Sequence, residues 1–371
     1  MKIVHVIASC GAGGAEMFVQ SLLLELEKRK DVSEIELWVM TQIKDISDDK
    51  KKINFEDKFI KKLEKNNISV KFVGKRPKKD WLKTSKRLRN LYKKFKPDII
   101  HSHLESVTFH TCRGLSKFNT PIIQTIHNTV INHTLVQRFY IKRKISGFVS
   151  ISKKITKIIS DALKVNNDEI YLIYNGVDVN KFKMNKREIK NKVEKVISVG
   201  RLTKQKDHKN LFNAIKKLKK KLNKNKIKVT QFLIVGDGEL KKKLKDLAVE
   251  LNINNIVEFL GVRDDIPKLL AESDIYVMSS EWEGLSISLI EAVASEIPIV
   301  ATDAGSNSEI VKDKKNGEIV PIKNSQKLAE SLYKLIVNKD LRTKYKNNSR
   351  KMIKKLKIEN SAVKHYEMYK K

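Results

Sequence analysis

Glu283 and Glu291 stand eight residues apart, which is about two helical turns. The run Ser279-Ser280-Glu281-Trp282-Glu283-Gly284-Leu285-Ser286 follows Ile275-Tyr276-Val277-Met278, an apolar stretch that reads as a buried strand. Beyond Gly284, apolar residues at Leu285, Ile287, Leu289, Ile290 and Val293 suit a helix packed on a sheet. Strand, tight loop and helix thus succeed one another. The free N–H groups near Leu285 and Ser286, with the helix dipole, make an anion site. A phosphate seated there would have Glu283 beside it and Glu291 further down the helix. One carboxylate could take sugar hydroxyls and the other ribose hydroxyls, the layout a nucleotide-sugar needs. The dipole alone also favours glutamates near a helix start, so the pair draws its weight from the rest of the chain.

Gly200-Arg201-Leu202-Thr203-Lys204-Gln205-Lys206 ends a strand, and Arg201 and Lys206 are placed to neutralise a diphosphate, the guanidinium through two parallel hydrogen bonds. Gly11-Ala12-Gly13-Gly14-Ala15-Glu16 lies between the first strand and the first helix, where it is either a tight turn or a backbone approach to a phosphate. It is not a dinucleotide fingerprint, because Glu16 stands where the third glycine belongs. His127 closes the strand Ile122–Ile126. A lone histidine at a strand end is usually structural. His101 and His103 share one strand face and could be half a metal site, but no third ligand with sensible spacing appears, so hydrogen-bonding or packing roles are expected. Asp237-Gly238-Glu239 is the nearest approach to an acidic metal-binding motif.

Two alternating series of strands and helices must position these residues. Strands are expected near Ile3–Ala8, Ile35–Met40, Val70–Val73, Ile99–His103, Ile122–His127, Val149–Ser152 and Ile170–Tyr174. The polar, highly charged stretch Asn180–Lys195 interrupts the series. It restarts with strands at Val196–Val199, Gln231–Val235, Val257–Leu260, Ile275–Met278 and the run after Pro298. The alternation predicts an α/β chain of two Rossmann-like, doubly wound domains facing across a cleft, with ligands at the strand C-terminal ends. The expected boundaries are 1–180 for an acceptor-side domain, 181–195 for a linker and 196–355 for a nucleotide-sugar-binding domain. A helix over 356–371 is expected to pack back on the N-terminal domain.

With 371 residues, of which 40% are hydrophobic, two ordinary cores can be filled. No stretch has the length of a membrane span, the N-terminus reads as a strand rather than a signal peptide, and Cys10 and Cys112 form no metal-type pair. A cytoplasmic protein is expected. The net charge of +34 suggests an anionic membrane surface or nucleic acid, or simply the lysine bias of an A/T-rich genome. The lysines are spread over many helix faces without interleaved aromatics, which argues against a nucleic-acid groove. The helix Trp81–Phe95 carries Trp81, Leu82, Leu88, Leu91 and Phe95 opposite Lys83, Lys86, Arg87, Arg89, Lys93 and Lys94. It is either packed on a sheet with a solvated face or a surface touching anionic lipid.

Taken together, these motifs resemble the retaining glycosyltransferases of family four, the group 1 type of the GT-B fold, over nearly the whole chain. Gly13-Gly14-Ala15-Glu16 looks like the family's glycine loop, whose backbone at Gly14 meets the donor phosphate. Thr125-Ile126-His127-Asn128 looks like the segment of its active-site histidine. Tyr174-Asn175-Gly176-Val177-Asp178 with Phe182 is similar to the stretch before the linker, and Val199-Gly200-Arg201-Leu202 with Lys206 to the diphosphate clamp. Phe259-Leu260-Gly261-Val262-Arg263 is similar to the loop that cradles the base, and Glu283 and Glu291 fall on the Glu-x7-Glu pair. Two departures, Ser295-Glu296 where a glycine is usual and Gly305-Ser306 for two glycines, concern turns near the donor.

The resemblance implies transfer of a sugar with retention, from a nucleotide-sugar (a UDP-sugar ahead of a GDP-sugar) to a glycan or polyprenyl-linked glycan in lipopolysaccharide or capsule synthesis. By the same implication Glu283 holds sugar hydroxyls, Glu291 the ribose, Arg201 and Lys206 the leaving diphosphate, and His127 the transferring sugar. Val262, Arg263, Leu285 and Ser286 complete the donor site. No metal and no cofactor are expected, no nucleic-acid partner, and a location on the inner membrane face at most. An epimerase of the same fold, or a basic membrane-surface protein without activity, are the alternatives.

Overall fold

The computed structural model describes residues 1–75, 80–182, 189–228 and 230–371. The chain divides into two compact units, Met1–Gly176 with Ile358–Lys371, and Val177–Lys357. The division falls just ahead of the expected 181–195 linker. Residues 183–188 of that stretch lie outside the described residues, and the 3-10 turn Val179–Phe182 belongs to the second unit.

The first unit is built on seven strands: β1 (Lys2–Ile7), β2 (Glu34–Val39), β3 (Ile68–Phe72), β4 (Ile99–His103), β5 (Ile122–Ile126), β6 (Gly147–Ser150) and β7 (Ile170–Leu172). They are all parallel, in the order β3-β2-β1-β4-β5-β6-β7. The second unit repeats the plan with six: β8 (Lys195–Val199), β9 (Gln231–Val235), β10 (Val257–Gly261), β11 (Ile275–Met278), β12 (Ile299–Thr302) and β13 (Gly317–Val320), ordered β10-β9-β8-β11-β12-β13. The chain is therefore α/β, with two Rossmann-like, doubly wound sheets. Sequence reading passed over β13, a four-residue edge strand whose Gly-Glu-Ile-Val carries little apolar signal.

Parallel sheets covered on both faces need strands that are apolar throughout. Ile3, Val4, Val6 and Ile7 on β1 are buried, as are all four residues of β11. β4 departs from this most, since His101, Ser102 and His103 are fully enclosed and must find partners inside, as must His5 on β1 and Gln124 and Thr125 on β5. Each sheet reverses its winding once, between β1 and β4 and between β8 and β11. The loops leaving those strands are where an open α/β sheet presents its binding groups. In the first unit they are the Gly11–Gly14 loop and the end of β4. In the second they carry Arg201 and Glu283.

The helix Ile358–Tyr369 closes the chain on the first unit, packed on the helix Gly14–Glu27. Its Tyr366 donates to the Asp31 carboxylate, to which Lys370 Nζ also donates at 2.9 Å. Its buried face, with His365, Tyr366 and Tyr369, looks onto the sheet residues around His5 and His101.

Candidate active site

In the second unit, β11 ends at Met278, and the chain turns through Ser279–Ser286 before the helix Ile287–Ala294. This turn is held from several sides. Thr302 on β12 donates to the Ser280 carbonyl at 2.6 Å, Ser279 Oγ donates to the Lys206 carbonyl at 2.9 Å, and Gln205 Nε2 donates to the Trp282 carbonyl at 3.1 Å. Gly305, at φ +58°, lies so close that a Cβ there would sit 1.7 Å from the Glu283 carbonyl oxygen. The β8 loop and the β11 loop are thereby locked together.

At their junction Lys206 Nζ meets Glu283 Oε1 at 2.6 Å, and Ser280 Oγ donates to the same oxygen at 2.6 Å. The two side chains are only 14% and 6% exposed, so the pair is nearly dry and electrostatically strong. Oε2 of Glu283 makes no hydrogen bond among the described residues, which leaves it free to accept from a ligand hydroxyl. Arg201 is exposed, steadied by Gln205 at 3.4 Å. Gly236 and Gly238 press against the backbone of Gly200 and Leu202, where side chains could not fit, and fix the loop that presents Arg201.

Leu285 and Ser286 are buried at the start of the helix, which begins two residues later than Leu285 with Ser286 as its N-cap. Ser286 Oγ does not cap the helix. It pairs with Ser288 Oγ at 3.1 Å, which in turn accepts from Tyr276 at 2.9 Å. The first amides therefore have no helical acceptor. Glu291 lies half-buried on the same helix with no hydrogen-bond partner among the described residues. Burial pushes its carboxyl up to about 7, against the pull of Lys181. It is the one acidic group of the constellation that the free protein leaves uncompensated.

Other candidates are differently placed. Arg263 is engaged by Asp265 through two bonds, at 2.8 and 2.6 Å, so its fork is taken, and Val262 beside it is partly buried. Asp237 accepts from the Gly238 amide at 2.7 Å and pairs with Lys241 at 3.2 Å, which occupies both of its oxygens. Gly14 opens its helix as an exposed residue, and Glu16 folds back over Gly13.

His127 belongs with Gly14 to the first unit. It stands just past β5, half-buried, with Nε2 3.0 Å from His103 Nδ1, and burial drops its pKa to about 4. His103 Nε2 in turn lies 3.0 Å from His5 Nδ1. Sequence reading found no third partner for His101 and His103, and the structure corrects this. His5 on β1 is paired directly opposite His101, and the three ring centroids lie 4.4 to 5.2 Å apart, with His103 stacked on both of the others and His5 tilted against His101. Their nitrogens lie within 4.8 Å of one another, close enough to be considered as metal ligands. Each of these nitrogens already has a hydrogen-bond partner, however: His101 with Tyr369 and Thr125, His5 with Tyr369 and His103, and His103 with His127.

The sequence matches the family "Glycosyltransferase Family 4" over residues 12–181 and "Glycosyl transferases group 1" over residues 179–352, which together span both units. The chain is a group 1 glycosyltransferase of the GT-B fold. Among its relatives is the UDP-Gal:alpha-D-GlcNAc-diphosphoundecaprenol alpha-1,3-galactosyltransferase of Escherichia coli, 27% identical over 73% of this chain and 76% of that one. Another is an N-acetylgalactosamine-N,N'-diacetylbacillosaminyl-diphospho-undecaprenol 4-alpha-N-acetylgalactosaminyltransferase of Campylobacter jejuni, 32% identical over 36% of this chain and 38% of that one. HepE of Anabaena in complex with UDP-glucose has the same fold, with a TM-score of 0.83 at 20% identity over 100% of this chain and 99% of that one.

The two departures from the family pattern resolve in the glycosyltransferase as backbone facts. Glu296 takes the left-handed conformation, φ +56°, that a glycine would hold without strain, and Arg350 grips its carboxylate at 3.0 and 2.7 Å. Ser306 needs no such conformation, since its φ is −104°, and only Gly305 is essential there. Sequence reasoning missed Ser280 and Thr302, which hold Glu283 and its loop. It also missed His5 and Tyr369, which lie at opposite ends of the chain. His5 did carry a signal, as the single polar residue in an otherwise apolar β1 core.

Proposed function

We propose that this glycosyltransferase moves a hexose with retention from a nucleotide-sugar, a UDP-sugar ahead of a GDP-sugar, to a lipid-linked glycan of a cell-surface polysaccharide. The buried Lys206–Glu283 pair at the winding reversal of the second sheet carries this reading. A carboxylate with one oxygen saturated and the other open is held rigid for a polyhydroxyl ligand, and a cation stands beside it. Oε2 of Glu283 accepts sugar hydroxyls, and Glu291 accepts the ribose hydroxyls of the donor. Both relatives act on diphosphoundecaprenol-linked sugars, which supports that acceptor class. HepE bound to UDP-glucose supports a uridine donor.

In the reaction the bond from the anomeric carbon to the donor phosphate oxygen breaks as the bond to the acceptor hydroxyl forms. The acceptor proton passes to the departing phosphate oxygen, so no protein base is required. Negative charge grows on the diphosphate, and Arg201, Lys206 and the open amides of the helix Ile287–Ala294 offset it. Those two cations and a dipole supply what a divalent ion supplies elsewhere, and the transfer is metal-independent in this reading. His127 orients the transferring sugar. Purified enzyme given UDP- and GDP-sugars with a polyprenyl-diphosphate-linked acceptor should release nucleoside diphosphate only when acceptor is present, and the product should retain the donor's anomeric configuration. Activity should persist in excess EDTA and nearly vanish in Arg201→Ala. Conversion of donor in the absence of acceptor would mark an epimerase instead. Activity lost in EDTA and restored by magnesium would overturn the clamp.

We extend the proposal to an anionic bilayer, where an enzyme using a lipid-linked acceptor would meet its substrate. Leu88 and Phe95 of the helix Trp81–Phe95 are buried, but Trp81 and Leu82 are 50% and 75% exposed beside exposed Lys83 and Lys86. Arg113 lies over the Trp81 ring, and Phe109 touches both Trp81 and Tyr140, next to exposed Leu135 and Phe139. Apolar tips among cations suit an interface with anionic lipid. No helix among the described residues is long and apolar enough to cross a membrane.

A further inference from the structure

We infer that Tyr369, eleven residues into the helix Ile358–Tyr369, is a positioning residue for His127, through a single buried hydrogen-bonded chain that decides which nitrogen of His127 carries its proton. This rests on His127 acting on the donor sugar. The chain runs Thr125 Oγ1 to His101 Nε2 (2.6 Å), His101 Nδ1 to Tyr369 OH (2.5 Å) and Tyr369 OH to His5 Nε2 (3.1 Å). It continues from His5 Nδ1 to His103 Nε2 (3.0 Å) and from His103 Nδ1 to His127 Nε2 (3.0 Å). All six residues belong to one unit, and all but His127 are buried.

A neutral imidazole has one N–H and one lone pair, and a phenol has one proton to give. Burial holds every histidine of the chain neutral, by lowering its affinity for a second proton. Each interior member must then donate on one side and accept on the other, so only two proton arrangements satisfy all five bonds, one the reverse of the other. Thr125 chooses between them. Its hydroxyl is fully enclosed and has no acceptor other than His101 among the described residues, so accepting from His101 would strand a buried O–H. Thr125 therefore donates, and the sense propagates: His101 donates to Tyr369, Tyr369 to His5, His5 to His103, and His103 to His127 Nε2. His127 is left with its proton on Nδ1, which has no partner among the described residues and is free to donate to a sugar oxygen. The three-histidine cluster serves this relay and not a metal, because an ion would have to displace bonds that already satisfy every nitrogen.

Tyr369→Phe removes the hydroxyl in the middle of the chain and keeps the ring that packs against His5 and His101. Thr125→Val removes the anchor with almost no change of volume. The probe is nitrogen-15 NMR of histidine-labelled full-length enzyme without ligand, which distinguishes Nδ1–H from Nε2–H by chemical shift. The wild type should show His127 as Nδ1–H, and both variants should show a mixture or the other tautomer. Their kcat should fall by about tenfold or more with donor KM little changed, as when a catalytic histidine holds the wrong tautomer. If Tyr369→Phe does not fold, Thr125→Val alone decides. An unchanged His127 tautomer in a folded variant would overturn the relay. So would a stoichiometric metal whose removal shifts the signals of His5, His101 and His103. Full activity in His127→Ala would overturn the catalytic reading of His127 while leaving the tautomer result to stand or fall separately.

Discussion

Replacing Glu291 by glutamine tests both the electrostatics and the role of this carboxylate. Its carboxyl sits half-buried without a hydrogen-bond donor and titrates at about 7 in place of the ordinary 4.5, chiefly because burial disfavours the charged form. At about 1.36 kcal/mol per pH unit, that shift is worth roughly 3 kcal/mol. The folded protein holds this proton more tightly than the unfolded chain does. The stability it confers is therefore complete below pH 4.5 and is lost as the pH rises through 7. Glutamine cannot ionise, so the stability of Glu291→Gln relative to the wild type should rise with pH, by roughly 2 kcal/mol between pH 5.5 and pH 8. Urea unfolding of both proteins across that range measures it, since all other titrating groups are shared and cancel. Isothermal titration with UDP supplies the second half. Ribose hydroxyls donate best to the ionised carboxylate, so beyond the titration of UDP's own terminal phosphate, which both proteins share, wild-type affinity should tighten through pH 7 relative to the variant's and exceed it at pH 8. A stability difference that is flat or falls with pH would refute the buried, uncompensated carboxylate. A parallel pH dependence of UDP binding in both proteins would refute its contact with the ribose.

Glu283→Ala should lower turnover by roughly 100-fold or more if Oε2 positions the reacting sugar, measured as nucleotide release under saturating donor. Lys206→Ala strands Glu283 in a nearly dry site and should cost roughly 3 kcal/mol of stability by denaturant unfolding, whereas the double variant Lys206→Ala/Glu283→Ala should recover part of it. The five buried or half-buried histidines around β1 and β4 are depressed below 6.5 by burial, His127 and His365 to about 4 and His5 to about 3. Their contribution is intact above pH 6.5 and drains away toward pH 4, so the melting temperature by calorimetry should drop steeply between pH 6.5 and 4.5; a level profile there would contradict the neutral network. Binding to anionic vesicles in sedimentation should weaken with salt and with Trp81→Ala/Leu82→Ala, and equal binding to neutral vesicles would count against an electrostatic surface.

The doubly wound sheets were legible because parallel strands buried on both faces advertise themselves as unbroken apolar runs, such as Ile275–Met278, set between amphipathic helices. Where burial was one-sided or the run short, as at β13, the signal vanished. The second unit's site was legible for a related reason. Arg201, Lys206 and Glu283 lie in the loops that leave β8 and β11, and Glu291 on the helix that follows, all elements whose positions the apolar runs had already marked. What could not be read was pairing. Nothing in the spacing of Arg263 and Asp265 said that the arginine would spend its fork on its neighbour, nothing local tied Thr302 to the Glu283 loop, and nothing said that the Ser280 hydroxyl would turn onto the Glu283 carboxylate.

The histidine network shows that limit most sharply. His101 and His103 looked like an incomplete pair because spacing arguments search nearby residues, whereas a parallel sheet makes neighbours of strands far apart in the chain. The winding reversal sets β4 beside β1, which puts His5 opposite His101, and the chain's return to its first unit puts Tyr369 against both. One observation available from the sequence did point there. A histidine in the middle of an otherwise apolar β1 must be satisfied from within the fold, since an unpartnered ring nitrogen at that depth would forfeit its hydrogen bonds with water. Three such residues on adjacent strands can satisfy one another only in a directed chain, and a directed chain has ends. One end here is an enclosed threonine. The other is the half-buried histidine expected to meet the sugar, so the polar residues that break the apolar pattern of the first sheet are the ones that tie its core to its chemistry.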